Sequence, residues 1–267
     1  GFSGANGSAT FTETVGISTT STLCLYTVFD INNSASNAET IEVEISDASG
    51  DVVVSGGGTV APDIPEALPG STSINGEVLD LFAYHWRNDD GDEATSTSQT
   101  AGVENTPISN VLQGEKHRLR IGIDNTGAAT SSTKEFRLEY GIKAGTCAAV
   151  GTWYNIADAG GNWEMIDSIN LSEGGDTTDV APSLGGITNP VGQFFVGNNN
   201  GVKDASSQTG SLLLADSEFV ELEFSIEPTN LVSFSDEFCF RVTNAGTPLE
   251  NYSVYPEAQI RPNQDFY

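Results

Sequence analysis

The densest group of oxygen ligands in the sequence is the run Asn88-Asp89-Asp90-Gly91-Asp92-Glu93. Side-chain oxygens crowded around a glycine turn suit a hard cation, and calcium accepts about six to eight of them. The spacing is not that of an EF-hand loop and no helical pattern flanks it, so the same residues also read as a solvated acidic hairpin turn. Asn88, Asp89, Asp90, Asp92 and Glu93 are the leading candidate metal ligands, and calcium is the one cofactor they suggest; Asp176 and Asp179 are weaker candidates. Catalytic chemistry finds little footing. The two histidines are His85 and His117, and His117 falls in phase with the apolar positions of its segment, the place of a packed side chain. No GxSxG, HExxH, CxxC or phosphate-loop motif occurs, and Gly56-Gly57-Gly58 lacks the lysine and helix that a phosphate loop needs. An acidic chain always offers a pair of carboxylates of the kind glycosidases use, but no motif supports one. The sequence assigns no catalytic residue and predicts a protein that is not an enzyme. Trp153, Tyr154 and Trp163 fit either a sugar-stacking platform or a core beside a cysteine.

The elements that must position these residues are strands. Period-2 alternation recurs along the chain, and no 12-residue stretch has a clean helical period. Residues 9–17 alternate Ala9, Phe11, Glu13, Val15, Ile17 with small polar residues. Residues 23–31 are apolar on both faces, as a central strand is. Ile41, Val43 and Ile45 alternate with Glu42 and Glu44, and a turn at 47–50 leads to a strand over 52–54. Residues 55–77 are rich in Gly, Pro and Ser and read as a linker or a long connection between sheets. Strand patterns then occupy 78–86, 117–123, 136–142, 220–226, 238–242 and 252–260, while 168–189 and 197–210 read as polar surface loops, one with room for a helical turn. Short strands between Gly, Asn, Asp and Ser loops predict an all-β fold: an antiparallel β-sandwich of immunoglobulin-like or jelly-roll type, with an N-terminal β-rich extension. The expected organisation is an extension over 1–20, a β-rich segment over 21–77 and a sandwich domain over 78–267.

Charge and termini bound the setting. The chain has 267 residues, 37 acidic side chains, 10 basic ones and a formal net charge of −27. Such a field repels a phosphate backbone, so nucleic acid is not expected as a partner. Residues 1–86 contain no Lys or Arg, whereas 108–147 hold six of the ten bases (Lys116, Arg118, Arg120, Lys134, Arg137, Lys143). The acidic and basic regions could attract one another within or between chains; alternatively the bases sit on solvated strand faces, paired with Glu115, Glu135 and Glu139. No run of about 18 apolar residues occurs, so membrane insertion is not expected, nor is a filament built on a long hydrophobic N-terminal helix. The chain starts at Gly1 and its one methionine is Met165, which suggests a processed N-terminus, a removed signal peptide and an extracellular or cell-surface location. Of Cys24, Cys147 and Cys239, the last two lie in or beside well-patterned strands and form the expected disulfide; three buried thiols in a reducing compartment are the alternative. Asn6, Asn32, Asn170 and Asn251 head N-x-S/T sequons.

Several segments, in order, carry a resemblance. Trp86-Arg87-Asn88-Asp89-Asp90-Gly91 is followed by Phe136-Arg137-Leu138-Glu139-Tyr140-Gly141 and Cys147, then Cys239-Phe240-Arg241-Val242-Thr243-Asn244 and Tyr255-Pro256-Glu257-Ala258. Together they resemble an immunoglobulin-like β-sandwich module, often repeated, of large secreted bacterial surface proteins. The resemblance covers residues 80–262 and implies a structural module with no assigned enzymatic activity; residues 1–75 lie outside it. One such module with an N-terminal extension is also the plan of filament subunits that polymerise by donor-strand exchange. Ala9, Phe11, Val15 and Ile17 supply the alternating side chains a donor strand needs, with Glu13 as a departure; the same segment equally reads as the first strand of its own domain. The expected function is therefore an extracellular structural subunit, a homopolymer forming a pilus-like filament or surface layer. The alternative is a monomeric cell-surface adhesion or carbohydrate-binding module with surface glycans as partners.

Overall fold

The computed structural model describes residues 76–262 without a break and, before them, only residues 16, 40–41, 44–45, 50, 53–54, 58–59, 66–67 and 72–74. The chain divides into two units, Gly1–Asn33 and Ser34–Tyr267, and every described strand belongs to the second. The expected donor-strand residues Ala9, Phe11, Val15 and Ile17, and the apolar run 23–31, lie outside the described residues. Within 40–73 the chain folds back in two short antiparallel ladders. One joins β1 (Thr40–Ile41) to β4 (Thr72–Ser73), the other β2 (Glu44–Ile45) to β3 (Glu66–Ala67). Part of the expected Gly/Pro linker is thus paired. Val53 and Val54, expected in a strand, are outside any strand and exposed.

Two sheets build the rest. The first runs β10 (Trp163–Met165), β13 (Glu218–Pro228), β7 (His117–Asn125), β5 (Leu79–Arg87), β16 (Asn251–Tyr252), with β11 (Phe194–Phe195) and β12 (Val202–Lys203) also on β13. The second runs β6 (Ile108–Val111), β17 (Glu257–Ile260), β14 (Glu237–Asn244), β8 (Phe136–Ile142), β9 (Tyr154–Asn155), with β15 (Thr247–Pro248) on β14. The fold is all-β and sandwich-like, as the alternation predicts. The sheets are mixed rather than purely antiparallel, because β11, β12, β16 and β17 each pair in parallel with a strand distant in sequence. The stretch 252–260, expected as one strand pattern, is shared between the sheets: β16 joins the first and β17 the second, with Pro256 between them. The loop 168–189 does hold a helical turn, the 3-10 turn Pro182–Leu184.

The core lies between the sheets, where alternate residues meet: Leu119, Ile121 and Ile123 of β7, Val220, Leu222 and Phe224 of β13, and Leu138, Phe238, Phe240 and Val242 opposite. Each such side chain contributes about 1.5–3 kcal/mol when removed from water. At one end Trp163 meets Phe240 edge-on at 5.0 Å between ring centroids, and Trp86 meets the same ring at 5.5 Å. His117 packs against both tryptophans, and burial lowers its pKa to about 4. A buried disulfide joins Cys147, in the 3-10 turn Cys147–Ala149, to Cys239 on β14, with Cα atoms 5.5 Å apart. Closing a loop of 92 residues stabilises the fold by about 4–5 kcal/mol on the chain-entropy account.

Candidate functional site

The unexpected feature is the face of the first sheet that points away from the core. Alternation puts Arg87, Arg118, Arg120, Glu221 and Glu223 on that face, and all five are 0% exposed. The expectation that Arg118 and Arg120 sit on a solvated strand face is therefore corrected: two long loops cover them. Three guanidiniums converge on Glu223, whose Oε2 accepts from Arg87 at 2.5 Å and Arg120 at 2.9 Å, while its Oε1 faces Arg118 at 3.4 Å. Arg120 Nε also donates to Glu221 Oε2. Charges so buried are tolerable only when paired and hydrogen-bonded, and the covering loops provide what the sheet lacks. Arg87 donates to the carbonyls of Glu93 (2.7 Å) and Ser96 (3.0 Å), and Arg118 to that of Gly91 (2.6 Å). Arg120 donates to the carbonyl of Thr178 in the second loop. Beside them His85 bonds Gly186 O through Nδ1 and Ser98 Oγ through Nε2, both at 2.8 Å, and burial lowers its pKa.

The acidic run 88–93 belongs to this layer. Asp89 Oδ1 takes Arg118 Nη2 at 2.6 Å and Nε at 2.9 Å, together with the Ser168 hydroxyl at 2.6 Å. Glu93 Oε1 takes Arg120 at 2.6 Å and the Thr178 backbone N–H at 2.9 Å. Burial alone would raise Asp89, but the Ser168 and Arg118 hydrogen bonds outweigh it and hold the carboxyl below its usual range. Asp90 accepts from the backbone and hydroxyl of Thr97, and Asp92 from Ala94 and Thr95; both are lowered chiefly by those Thr hydroxyls. The Asn88 side-chain amide donates to Thr97 Oγ1. The structure thus turns the five expected calcium ligands to different partners, and among the described residues no three His, Cys, Asp or Glu side chains converge as a metal site. Two of the expected ligands are the counter-ions of buried arginines.

The charge balance of the layer has a remainder. Asp89, Glu93, Glu221 and Glu223 are four carboxylates against three guanidiniums. The imbalance falls on Glu221, whose Oε1 is buried without a hydrogen-bond partner. Burial, opposed by Arg120, raises its pKa to about 7. Arg120 keeps its proton, because Glu221, Glu223 and Glu93 overcome the burial that works against its charge. Farther along the same face the cross-strand neighbours Asp80 and Asp124 are both buried, and burial reinforced by Asp80 raises Asp124 to about 6. Between these regions the face is closed by Gly122, where a Cβ would stand 2.6 Å from the Phe82 ring.

The aromatic candidates part company. Trp163 is fully buried in the core. Trp153 carries Arg241 over its ring at 4.4 Å and stacks on Tyr255 at 6.0 Å, while Tyr154 packs on Tyr140 at 5.6 Å. The three therefore share no single platform, since Trp163 lies in the core while Tyr154 is exposed. Asp179 binds Asn189 and Asp176 the backbone of Asn199 and Asn200, so neither extends the acidic run. Sequon Asn170 has its amide on Asp89 O at 3.1 Å, whereas Asn251 is exposed.

The sheet edges also differ. The outer edge of β5 is covered by β16, Asn105 and Gln99, and that of β8 by β9, Ser207 and Thr209. Three short strands line β13. β6 pairs only with β17, and no described segment pairs with its other edge. No protein-family model matches this sequence, and a search of curated proteins finds no match either.

Proposed function

We propose that the chain is an extracellular structural subunit that polymerises head-to-tail, residues 9–17 of one copy adding a strand to the sheet of the next. The observation that carries this reading is the edge of β6: it is an end strand of the second sheet, longer than β9 at the other end, and pairs on one side only among the described residues. An unpaired edge is a ready template for another chain, and proteins otherwise cover or charge such edges. The other end strands β9, β10 and β16 have only two or three residues, whereas this one carries the four-residue uncharged run Ile108-Ser109-Asn110-Val111. The Cys147–Cys239 bond fits an oxidising, extracellular setting. The resemblance of residues 80–262 to modules of bacterial surface proteins supports a structural rather than a catalytic role. Contacts between copies of one chain that do not close on themselves give a filament. With −27 charges per copy, assembly requires salt or bound cations in addition to strand pairing.

Electron microscopy of the full chain and of a form lacking residues 1–18, at physiological salt, tests the reading. Filaments or layers are expected from the full chain and monomers from the truncated form. Assemblies that persist without the segment would overturn strand donation. Monomers in both cases would favour the monomeric adhesion or carbohydrate-binding module.

A further inference from the structure

The two described sequons hold their asparagines in opposite states. Asn170, in the loop over the charged layer, is engaged: its Nδ2 donates to Asp89 O at 3.1 Å and stands 3.4 Å from Asp89 Oδ1. Asp89 is in turn the counter-ion of the buried Arg118. A bulky group on that nitrogen would replace one of its two N–H donors and stand against the layer. Asn251 opens β16, an end strand of the first sheet. It pairs in parallel with Asp80 of β5, as Tyr252 does with Leu81. Successive residues of a strand face opposite ways. Tyr252 turns to the core, packed against the apolar cluster, with its hydroxyl donating to Val242 O at 2.8 Å. Asn251 is therefore turned outward. It is exposed, and among the described residues no hydrogen bond holds its side-chain amide. Asn6 and Asn32 lie outside the described residues.

We propose that Asn251 is the acceptor of an N-linked glycan, carried on the outward side of β16. The donor class is an oligosaccharide on a lipid diphosphate. The amide nitrogen bonds to the anomeric carbon of the first sugar and the bond from that carbon to the diphosphate oxygen breaks. The lipid diphosphate leaves and the amide gives up one proton; nothing is oxidised or reduced. Asn251-Tyr252-Ser253 is the acceptor pattern, with a residue other than proline between the asparagine and the hydroxyl. In the folded chain the Ser253 N–H and hydroxyl both donate to Asp80. The hydroxyl half of the pattern is then occupied, so transfer falls before β16 docks on β5. Folding leaves the modified nitrogen in solvent, where a bulky, hydrophilic group displaces no contact among the described residues. On an end strand such a group also hinders a further chain from pairing at that edge. The inference rests on the extracellular location proposed above, because a sequon is read in a secreted chain.

The test is peptide mass spectrometry of the protein isolated from the cells that make it, with those cells fractionated beside it. Cleavage at Lys and Arg separates the two sequons, since residues 144–203 hold Asn170 and residues 242–267 hold Asn251. A glycan mass on 242–267, placed on Asn251 by fragmentation, is expected, with 144–203 unmodified. Asn251→Gln should abolish the modification, whereas Ser253→Thr, which retains the hydroxyl, should keep it. Produced without glycosylation, Asn251→Gln should melt at the same temperature as the equally unmodified original chain. Asn251 bare in the native protein would overturn the site. Fractionation then tells the two readings apart: bare protein outside the cell leaves the extracellular reading standing, and bare protein inside the cell removes both. A glycan carried by Asn170 instead of Asn251 would overturn the inference equally.

Discussion

The two faces of β7 and β13 are equally buried and chemically opposite. Toward the second sheet they present Leu119, Ile121, Leu222 and Phe224; toward the covering loops they present Arg118, Arg120, Glu221 and Glu223, and every one of these is at 0% exposure. The apolar face is held by area removed from water, which is non-directional and tolerates a change of shape at modest cost. The charged face is held by geometry, since each buried ion depends on particular partners and loses them all at once if one is removed. One side of the sheet therefore makes the fold stable. The other fixes where two long loops lie, because the arginines bind loop carbonyls, those of Gly91, Glu93, Ser96 and Thr178 among them.

That contrast is sharpest when one residue is changed on each face. Arg120→Met leaves Glu93, Glu221 and Glu223 short of a buried partner and should destabilise the fold by about 3–5 kcal/mol. Leu222→Ala, directly behind it, should cost about 2–5 kcal/mol through a cavity. Denaturant unfolding measures both, and hydrogen exchange separates them: Arg120→Met should also expose the amides of residues 88–98, whereas Leu222→Ala should not do so selectively. An Arg120→Met cost below about 1 kcal/mol, the range of exposed pairs, would mean that the charged layer does not fasten the loops. The smallest effect is expected at Lys143, which is partly exposed and pairs with Glu237 at 3.1 Å and Glu257 at 2.6 Å. Lys143→Met should cost under about 1 kcal/mol, and added salt should shrink the difference.

How far the sequence reveals this depends on the face. Strands β5, β7, β8, β13 and β14 are legible because apolar residues alternate over seven residues or more, and a buried face needs that period. The Cys147–Cys239 pair is legible because both residues adjoin such strands. The short parallel strands β11, β12 and β16 are not, since two residues carry no period and depend on a distant partner. The charged layer escapes a sequence reading for a related reason. Alternation tells which side chains share a face, not whether that face is wet, so Arg118 and Arg120 read as solvent-facing. A signal is nevertheless present: Glu221 and Glu223 alternate through β13 as Arg118 and Arg120 do through β7, and opposite charges at the same period in two strands suit cross-strand pairing. Asp80 and Asp124 carry no such signal, because each is a single acid in an apolar strand until the register sets them side by side.

The excess carboxylate of the layer gives the most direct measurement, the pH dependence of stability in the unaltered chain and in Glu221→Gln. Glu221 is raised from its ordinary 4.5 to about 7 in the fold. Its proton therefore contributes stability that is fully present below the unfolded value and is lost as pH rises through the folded one. The slope from this group is at most about 1.4 kcal/mol per pH unit between the two values. The lowered carboxylates Asp89, Asp90, Asp92 and Glu173 act in the opposite sense at the acid end, and the buried histidines His117 and His85, whose pKa values are depressed, oppose Glu221 within the window, so the Glu221 contribution is read from the difference between the two proteins. Glu221→Gln, which keeps the shape and removes the ionisation, should flatten the decline toward pH 8 and be more stable than the unaltered chain there. Identical slopes in the two proteins, or a Glu221→Gln variant less stable at pH 8, would contradict a buried layer that carries one carboxylate more than its arginines can pair.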